Sequence, residues 1–226
     1  PEVVAAVEKT WGERLICGKQ NVPIYFHSTC AGSTSSSEIF TGKFPHMACD
    51  KSVICNYCKA SPFFKDTVHH IPLSIYKQRI PEGIPKIIRL DKAGRALEVQ
   101  YADGSKETGY AFWMKLGARF GWEKATGLRF FLSQKENREI AARSVPPSGS
   151  SSTAQSAPAK TGGSATSGAS MGISNGGGET EIEIRSTGAG HGVGMCQWGA
   201  QGLAREGKSA EEILKYYFPG SKIFKE

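Results

Sequence analysis

Apolar side chains at Val3, Val4, Val7 and Trp11 share one helical face, so residues 1–15 predict an opening helix that Pro1 can begin and Gly12 can close. From Leu15 to Phe26 the pattern shortens to strands turning about Gly18-Lys19-Gln20-Asn21. Val22, Ile24 and Phe26 alternate as a short strand that runs into a loop of small hydroxyl residues. Lys86 to Leu90 and Ala96 to Tyr101 read as two strands around Asp91-Lys92-Ala93-Gly94, with another tight turn at Asp103-Gly104. Tyr110 to Leu116 predicts a short helix whose Phe112, Trp113 and Leu116 face a core rather than a ligand. Near the end, Glu181 to Ile184 alternates as a strand, and Met195, Trp198 and Leu203 give a helix a buried face as far as Gly207. Ser209 and Glu212 form a capping box for a last helix through Ile213, Leu214 and Tyr217, ended by Pro219-Gly220.

Residues 145–180 are built differently, from Ser, Gly, Ala, Thr and Pro with almost nothing to bury. Such a segment cannot offset its ordering entropy, which predicts a flexible, disordered insertion. About 46 residues follow, fewer than usually fold unaided, so the tail is expected to return and pack on the first part. The expected fold is α+β: a single mixed domain of strands and short helices made from 1–144 and 181–226. The Ser/Gly-rich insertion would lie before a C-terminal strand-helix-helix.

The 226 residues carry a formal net charge of +7, which favours an anionic partner such as nucleic acid, acidic lipid or a carboxylate-bearing polysaccharide. The charge is spread along the chain rather than gathered in a basic run, so nothing in it points to nucleic acid in particular. No apolar stretch is long enough for a membrane span. The chain begins at Pro1 in mid-pattern, as a fragment or processed form would.

Six cysteines admit a metal site, disulfides or free thiols. His46-x2-Cys49 and, five residues on, Cys55-x2-Cys58 supply two ligand pairs from tight turns, and four such ligands complete a tetrahedral structural zinc shell. That shell leaves no open position for catalysis. Disulfides suit the same residues outside the cytoplasm. His69 and His70 are reserve ligands.

Two stretches carry candidate chemistry. Phe26 to Phe40 holds Ser28, Ser33 and Thr34 and a single acid, Glu38, backed by Ile39 and Phe40. Small hydroxyl side chains admit a bulky hydroxylated ligand, and a carboxyl flanked by apolar residues is desolvated toward the range of a general acid. Gly188 to Gln201 alternates glycines around His191 and opens a helix near Gln197, a pattern allowing close backbone approach and free amides. A nucleotide-phosphate reading fails, because no Lys-Ser/Thr ending or following βαβ unit exists. His27 and His191 each read either as packed rings or as site residues.

Together these stretches resemble the stage II sporulation protein D family, also called the amidase-enhancer family. The likeness rests on Phe26 to Glu38, on Gly190 to Gln201, and on Gly207, Tyr216, Tyr217, Pro219 and Gly220 behind it. Cys30-Ala31 and Cys196 stand where the family carries Ser-Gly and Ser, and Ser35 where it carries a second acid; the family's N-terminal helix region is mostly absent. The resemblance implies a lytic transglycosylase that cuts peptidoglycan glycan strands freed of stem peptides. Glu38 would act as acid and then base, with Ser28, Ser33, Thr34, His191 and Gln197 positioning sugars. It further implies an extracytoplasmic setting, through an anchor or export segment not present here, and partnership with a cell-wall amidase. The alternative it leaves is a non-catalytic glycan-binding module that stimulates such an amidase.

Overall fold

The computed structural model describes residues 1–43, 48–135 and 180–225. The expected insertion, apart from Thr180, lies outside the described residues, as does His46. In chain order the elements are α1 (Glu2–Lys9), β1 (Glu13–Cys17), β2 (Gln20–Asn21), β3 (Phe26–His27), α2 (Glu38–Thr41), β4 (Asp66–Pro72), α3 (Leu73–Arg79), β5 (Lys86–Leu90), β6 (Ala96–Gln100) and β7 (Lys106–Thr108). They continue with α4 (Gly109–Phe120), β8 (Arg129–Lys135), β9 (Glu181–Thr187), β10 (Met195–Cys196), α5 (Gln197–Arg205), α6 (Ala210–Tyr217) and β11 (Lys222–Lys225). The fold is α+β.

The tail does return. β9 runs antiparallel between β4 and β8, β10 pairs in parallel with β3, and β11 pairs antiparallel with β1. Each sheet that uses the tail joins it to residues far earlier in the chain. On β9, Ile182 and Ile184 point into the core, while Glu183 is held by Lys135 and by Arg185 at 3.0 Å.

Two cores result. The larger centres on α4, which is longer than the 110–116 predicted. The Thr108 hydroxyl accepts from the Ala111 amide at 3.1 Å, satisfying one of the amides a helix start leaves unpaired. Phe112, Trp113, Leu116 and Phe120 then bury one face against Val99, Leu128, Phe130 and Ile184. Trp113 spends its indole N–H on the Ala125 carbonyl at 2.8 Å. The smaller core gathers Leu15, Val22, Leu203, Ile213, Tyr217 and Phe218 around four buried cysteines. The capping box at Ser209 and Glu212 forms as the sequence indicated.

Two expectations change. Of residues 22–27 only Phe26 and His27 form a strand; Val22 is buried while Ile24 and Phe26 face outward, so the alternation does not mark one sheet face. α1 forms, but Val3, Val4 and Val7 are exposed, so none of its apolar face is buried by the described residues.

Gly109, the first residue of α4, sits where an added Cβ would collide with the Ala96 carbonyl on β6. Gly109→Ala should therefore cost about 1–3 kcal/mol by overpacking, measured as a lower denaturation midpoint with an unchanged denaturant slope.

Candidate active site

Glu38 opens the short helix α2, whose Ile39 is fully buried in the larger core. Its side chain is 14% exposed, and its Oε1 accepts from Arg89 Nη1 on β5 at 2.7 Å. This corrects the picture of an isolated carboxyl against apolar neighbours: a guanidinium 51 residues away in sequence holds it. Glu38 lines an open cavity of about 830 Å³ with Ser33, Ser36 and Ser52 on its walls and Lys51, Arg89 and Lys92 supplying positive charge.

Two more carboxylates line the same cavity, and sequence reading had singled out neither. Asp50 accepts from the Ser37 amide at 3.0 and 3.1 Å and from the Ser37 hydroxyl. Asp91 accepts from the Ala93 and Arg95 amides at 2.9 and 2.7 Å and from the Ser35 hydroxyl. Both are fixed by backbone donors. The partner of Glu38 is a side chain on a half-exposed arm, so Glu38 is the acid that a ligand can re-pair.

The loop below Glu38 is pinned by Arg95, which is 2% exposed. Its Nη1 donates to the Ser33 carbonyl at 2.9 Å and Ser35 Oγ at 3.0 Å, and its Nη2 to the Cys30 carbonyl at 2.7 Å. Burial works against the charge on this guanidinium, and Asp91 works for it. The glycine-rich segment closes over the same group: a Cβ at Gly192, where φ is +83°, would run into the Arg95 guanidinium. Ser35 also donates its amide to the Gly192 carbonyl at 2.8 Å.

Several of the segment's amides are already bonded. Gly190 donates to Thr126, Met195 to Tyr25 and Trp198 to Ser28, at 2.7, 2.9 and 3.1 Å. The amides of Gly190, Met195 and Trp198 are therefore not free, contrary to expectation at those positions, and Gly192 and Gly194 serve close packing. His27 is buried, with Nδ1–H donating to the Val193 carbonyl at 3.1 Å and Nε2 without a partner among the described residues. His191 accepts the Val193 amide on Nδ1 at 3.0 Å, and its ring packs against Phe40 at 5.2 Å.

Of the six residues assigned to catalysis and sugar binding, Glu38 and Ser33 line this cavity; Ser28, Thr34, His191 and Gln197 are not among its walls. Thr34 is fully buried, its hydroxyl accepting the Val53 amide at 2.9 Å. Gln197 is exposed on the first turn of α5. The two ends of the chain do meet, but the glycine-rich segment buttresses the loop from behind.

The metal set needs the larger correction. Cys49 is disulfide-bonded to Cys17, 32 residues earlier, which removes it as a ligand beside Cys55 and Cys58. Those two instead meet Cys30 and Cys196, all four buried with Sγ atoms within 4.8 Å of one another. Hydrogen bonding from the Cys196 thiol, then from Cys30, pulls the Cys58 thiol well below its ordinary range. His70 pairs with Glu181 at 3.3 Å, away from the cluster.

Two predictions come from this packing. Arg95→Met leaves the Cys30 and Ser33 carbonyls without their donor and should destabilise by about 3 kcal/mol or more in chemical denaturation, with Arg95→Lys recovering little because an ammonium lacks the planar fork. Burial holds His27 down to about 3, and burial lowers His191 as well. The unfolded chain thus binds more protons between about pH 3 and 6.5, so stability should fall as pH drops below about 6.5, by a few kcal/mol for His27 at most. His27→Leu should flatten the dependence of Tm on pH between 7 and 4, whatever its Tm at pH 7.

No protein-family model matches the chain. Over 42 residues, 19% of its length, it is 57% identical to an uncharacterized protein of Brachyspira hyodysenteriae, of which this covers 11%. It is 50% identical over 42 residues to stage II sporulation protein D of Bacillus subtilis, covering 12% of that protein. Over 44 residues it is 48% identical to the amidase enhancer of Bacillus subtilis, covering 6% of it. The matched stretch spans about a tenth or less of the length of these curated relatives. These short matches support a likeness to the stage II sporulation protein D family.

Proposed function

We propose that the chain acts on the glycan strands of peptidoglycan outside the cytoplasm, as a lytic transglycosylase for strands stripped of stem peptides. The observation that carries this reading is the single re-pairable acid in a hydroxyl-lined cavity that also presents Lys51, Arg89 and Lys92. Ordinary glycosidases use two carboxyl groups flanking the bond, one as acid and one as base or nucleophile. Here Asp50 and Asp91 are committed to backbone amides, which leaves Glu38. A reaction whose nucleophile belongs to the substrate needs only one.

In that reaction protonated Glu38 gives its proton to the glycosidic oxygen as the bond from C1 of the muramic acid residue breaks. The C6 hydroxyl of the same residue attacks C1 and returns its proton to the Glu38 carboxylate. No water is consumed, and the products are a 1,6-anhydro end and a free hydroxyl on the departing sugar. Tethering the nucleophile to the reacting ring supplies the rate advantage of an intramolecular group. Substrate entry would first draw Arg89 from Glu38, and Lys51, Arg89 and Lys92 would then face the lactyl carboxylates exposed once stem peptides are gone. Sugar contacts fall to Ser33 and Ser36 in this reading.

A second reading has support of its own. Arg89 already occupies the Glu38 carboxylate, and one matched relative is named an amidase enhancer, consistent with a module that binds glycan and stimulates an amidase. One comparison decides between them. Wild-type protein should convert amidase-treated glycan to anhydromuramyl ends, and Glu38→Gln should lose at least about 100-fold in turnover while still binding the strands. Binding without turnover by both proteins overturns the enzyme.

A further inference from the structure

Four buried thiols in contact are an unusual thing for a chain to bring together. Cys30 Sγ lies 3.5 Å from Cys58 Sγ, and all four Sγ atoms fall within 4.8 Å. Four thiolates held tetrahedrally at about 2.3 Å from a zinc ion stand roughly 3.8 Å from one another, so a cluster with no two sulfurs more than 4.8 Å apart is close to the spacing of a closed zinc shell. A disulfide needs its sulfurs at about 2.05 Å, and an iron–sulfur core inserted among them would force these side chains apart.

The surroundings suit thiolates rather than thiols. The Cys30 amide donates to Cys196 Sγ at 3.3 Å and the Gly199 amide at 3.4 Å. The Tyr217 hydroxyl lies 3.2 Å from Cys55 Sγ. Cys196 also caps the N-terminus of α5, where partial positive charge favours a thiolate. Donors of this kind orient and tune metal-bound sulfurs from the layer beyond the ligands. Redox logic adds an independent argument. Cys17 and Cys49 in the same chain form a disulfide, so conditions that join those two would also oxidise Cys30 and Cys58 unless the sulfurs were occupied.

We propose that Cys30, Cys55, Cys58 and Cys196 hold one zinc ion in a closed tetrahedral site. The ion is structural, since four protein ligands leave no open position. Its ligands come from the Glu38 loop, from the Cys-x2-Cys turn and from the junction of β10 and α5, so it fastens the candidate catalytic loop to the glycine-rich segment. Zinc fits better than iron in such a shell beside a disulfide, being redox-silent.

The test is metal and thiol accounting on the full chain purified without chelator. Elemental analysis should give one zinc per chain, native mass should include that ion, and denaturing mass should show one disulfide with four alkylatable thiols. Stripping zinc with a strong chelator should lower Tm, and zinc should restore it. Cys196→Ser and Cys58→Ser should each lose the metal, whereas the Cys17→Ser, Cys49→Ser double variant should keep it. Metal-free protein with three disulfides overturns the site, as does stoichiometric iron, or zinc that survives Cys196→Ser but leaves with Cys49→Ser. Should a ligand variant fail to fold, the zinc content and thiol count of the wild type still decide.

Discussion

A guanidinium with almost no contact with water sets the terms for this structure. Arg95 must find acceptors inside the protein, because an unpaired buried charge would cost more than most domains have in reserve. It finds them in the Cys30 and Ser33 carbonyls and the Ser35 hydroxyl, all in the loop that precedes Glu38. The same loop would otherwise be a run of small hydroxyl residues with little to hold its course. Arg95 follows the β5–β6 turn, so the hairpin carrying Arg89 and the loop carrying Glu38 are located against each other by one side chain. The 2.7 Å contact between Arg89 and Glu38 follows from that placement.

The glycine-rich segment is the other half of the same constraint. Gly192 leaves room for the Arg95 guanidinium, and Gly194 lets the chain pass the Tyr25 carbonyl, where an added Cβ would strike backbone. A motif that suggests ligand binding from its composition is here spent on proximity. The amides of Gly190, Met195 and Trp198 go to carbonyls of other segments, and its histidine packs on Phe40, two residues beyond Glu38. The physical role is to seal the back of the loop so that the front can stay open.

How much of this the sequence disclosed depends on how local each signal was. The capping box at Ser209, the β5–β6 turn and the apolar face of α4 are written in neighbouring residues and were legible. β4 and β8 were not, because β4 has one fully buried side chain, Ile71, and β8 one, Phe130, too few for a clear alternation. Cys55-x2-Cys58 announces a paired site, but its partners lie 25 residues earlier and 138 residues later, at Cys30 and Cys196, beyond any spacing rule. Cys49 fitted the local rule and went to Cys17. Arg95 gave no signal at all: an arginine beside a turn glycine reads as solvated until the fold shows what lies above it.

The loop bearing Glu38 is thus suspended between two cores. At its far end Ile39 is sunk in the larger one, and at its near end Cys30 is sunk in the smaller one, among the other three cysteines. Eight positions separate Cys30 from Glu38, and both ends are anchored by burial, so the intervening backbone has little slack. A displacement of the smaller core would be passed to the carboxyl through Arg95, which grips the loop at Cys30, Ser33 and Ser35. Holding any side chain to within a fraction of an ångström requires support of this kind beyond its immediate neighbours. In this chain that support comes from a buried arginine on one side and a knot of sulfur on the other, each bridging segments that only the folded topology brings together.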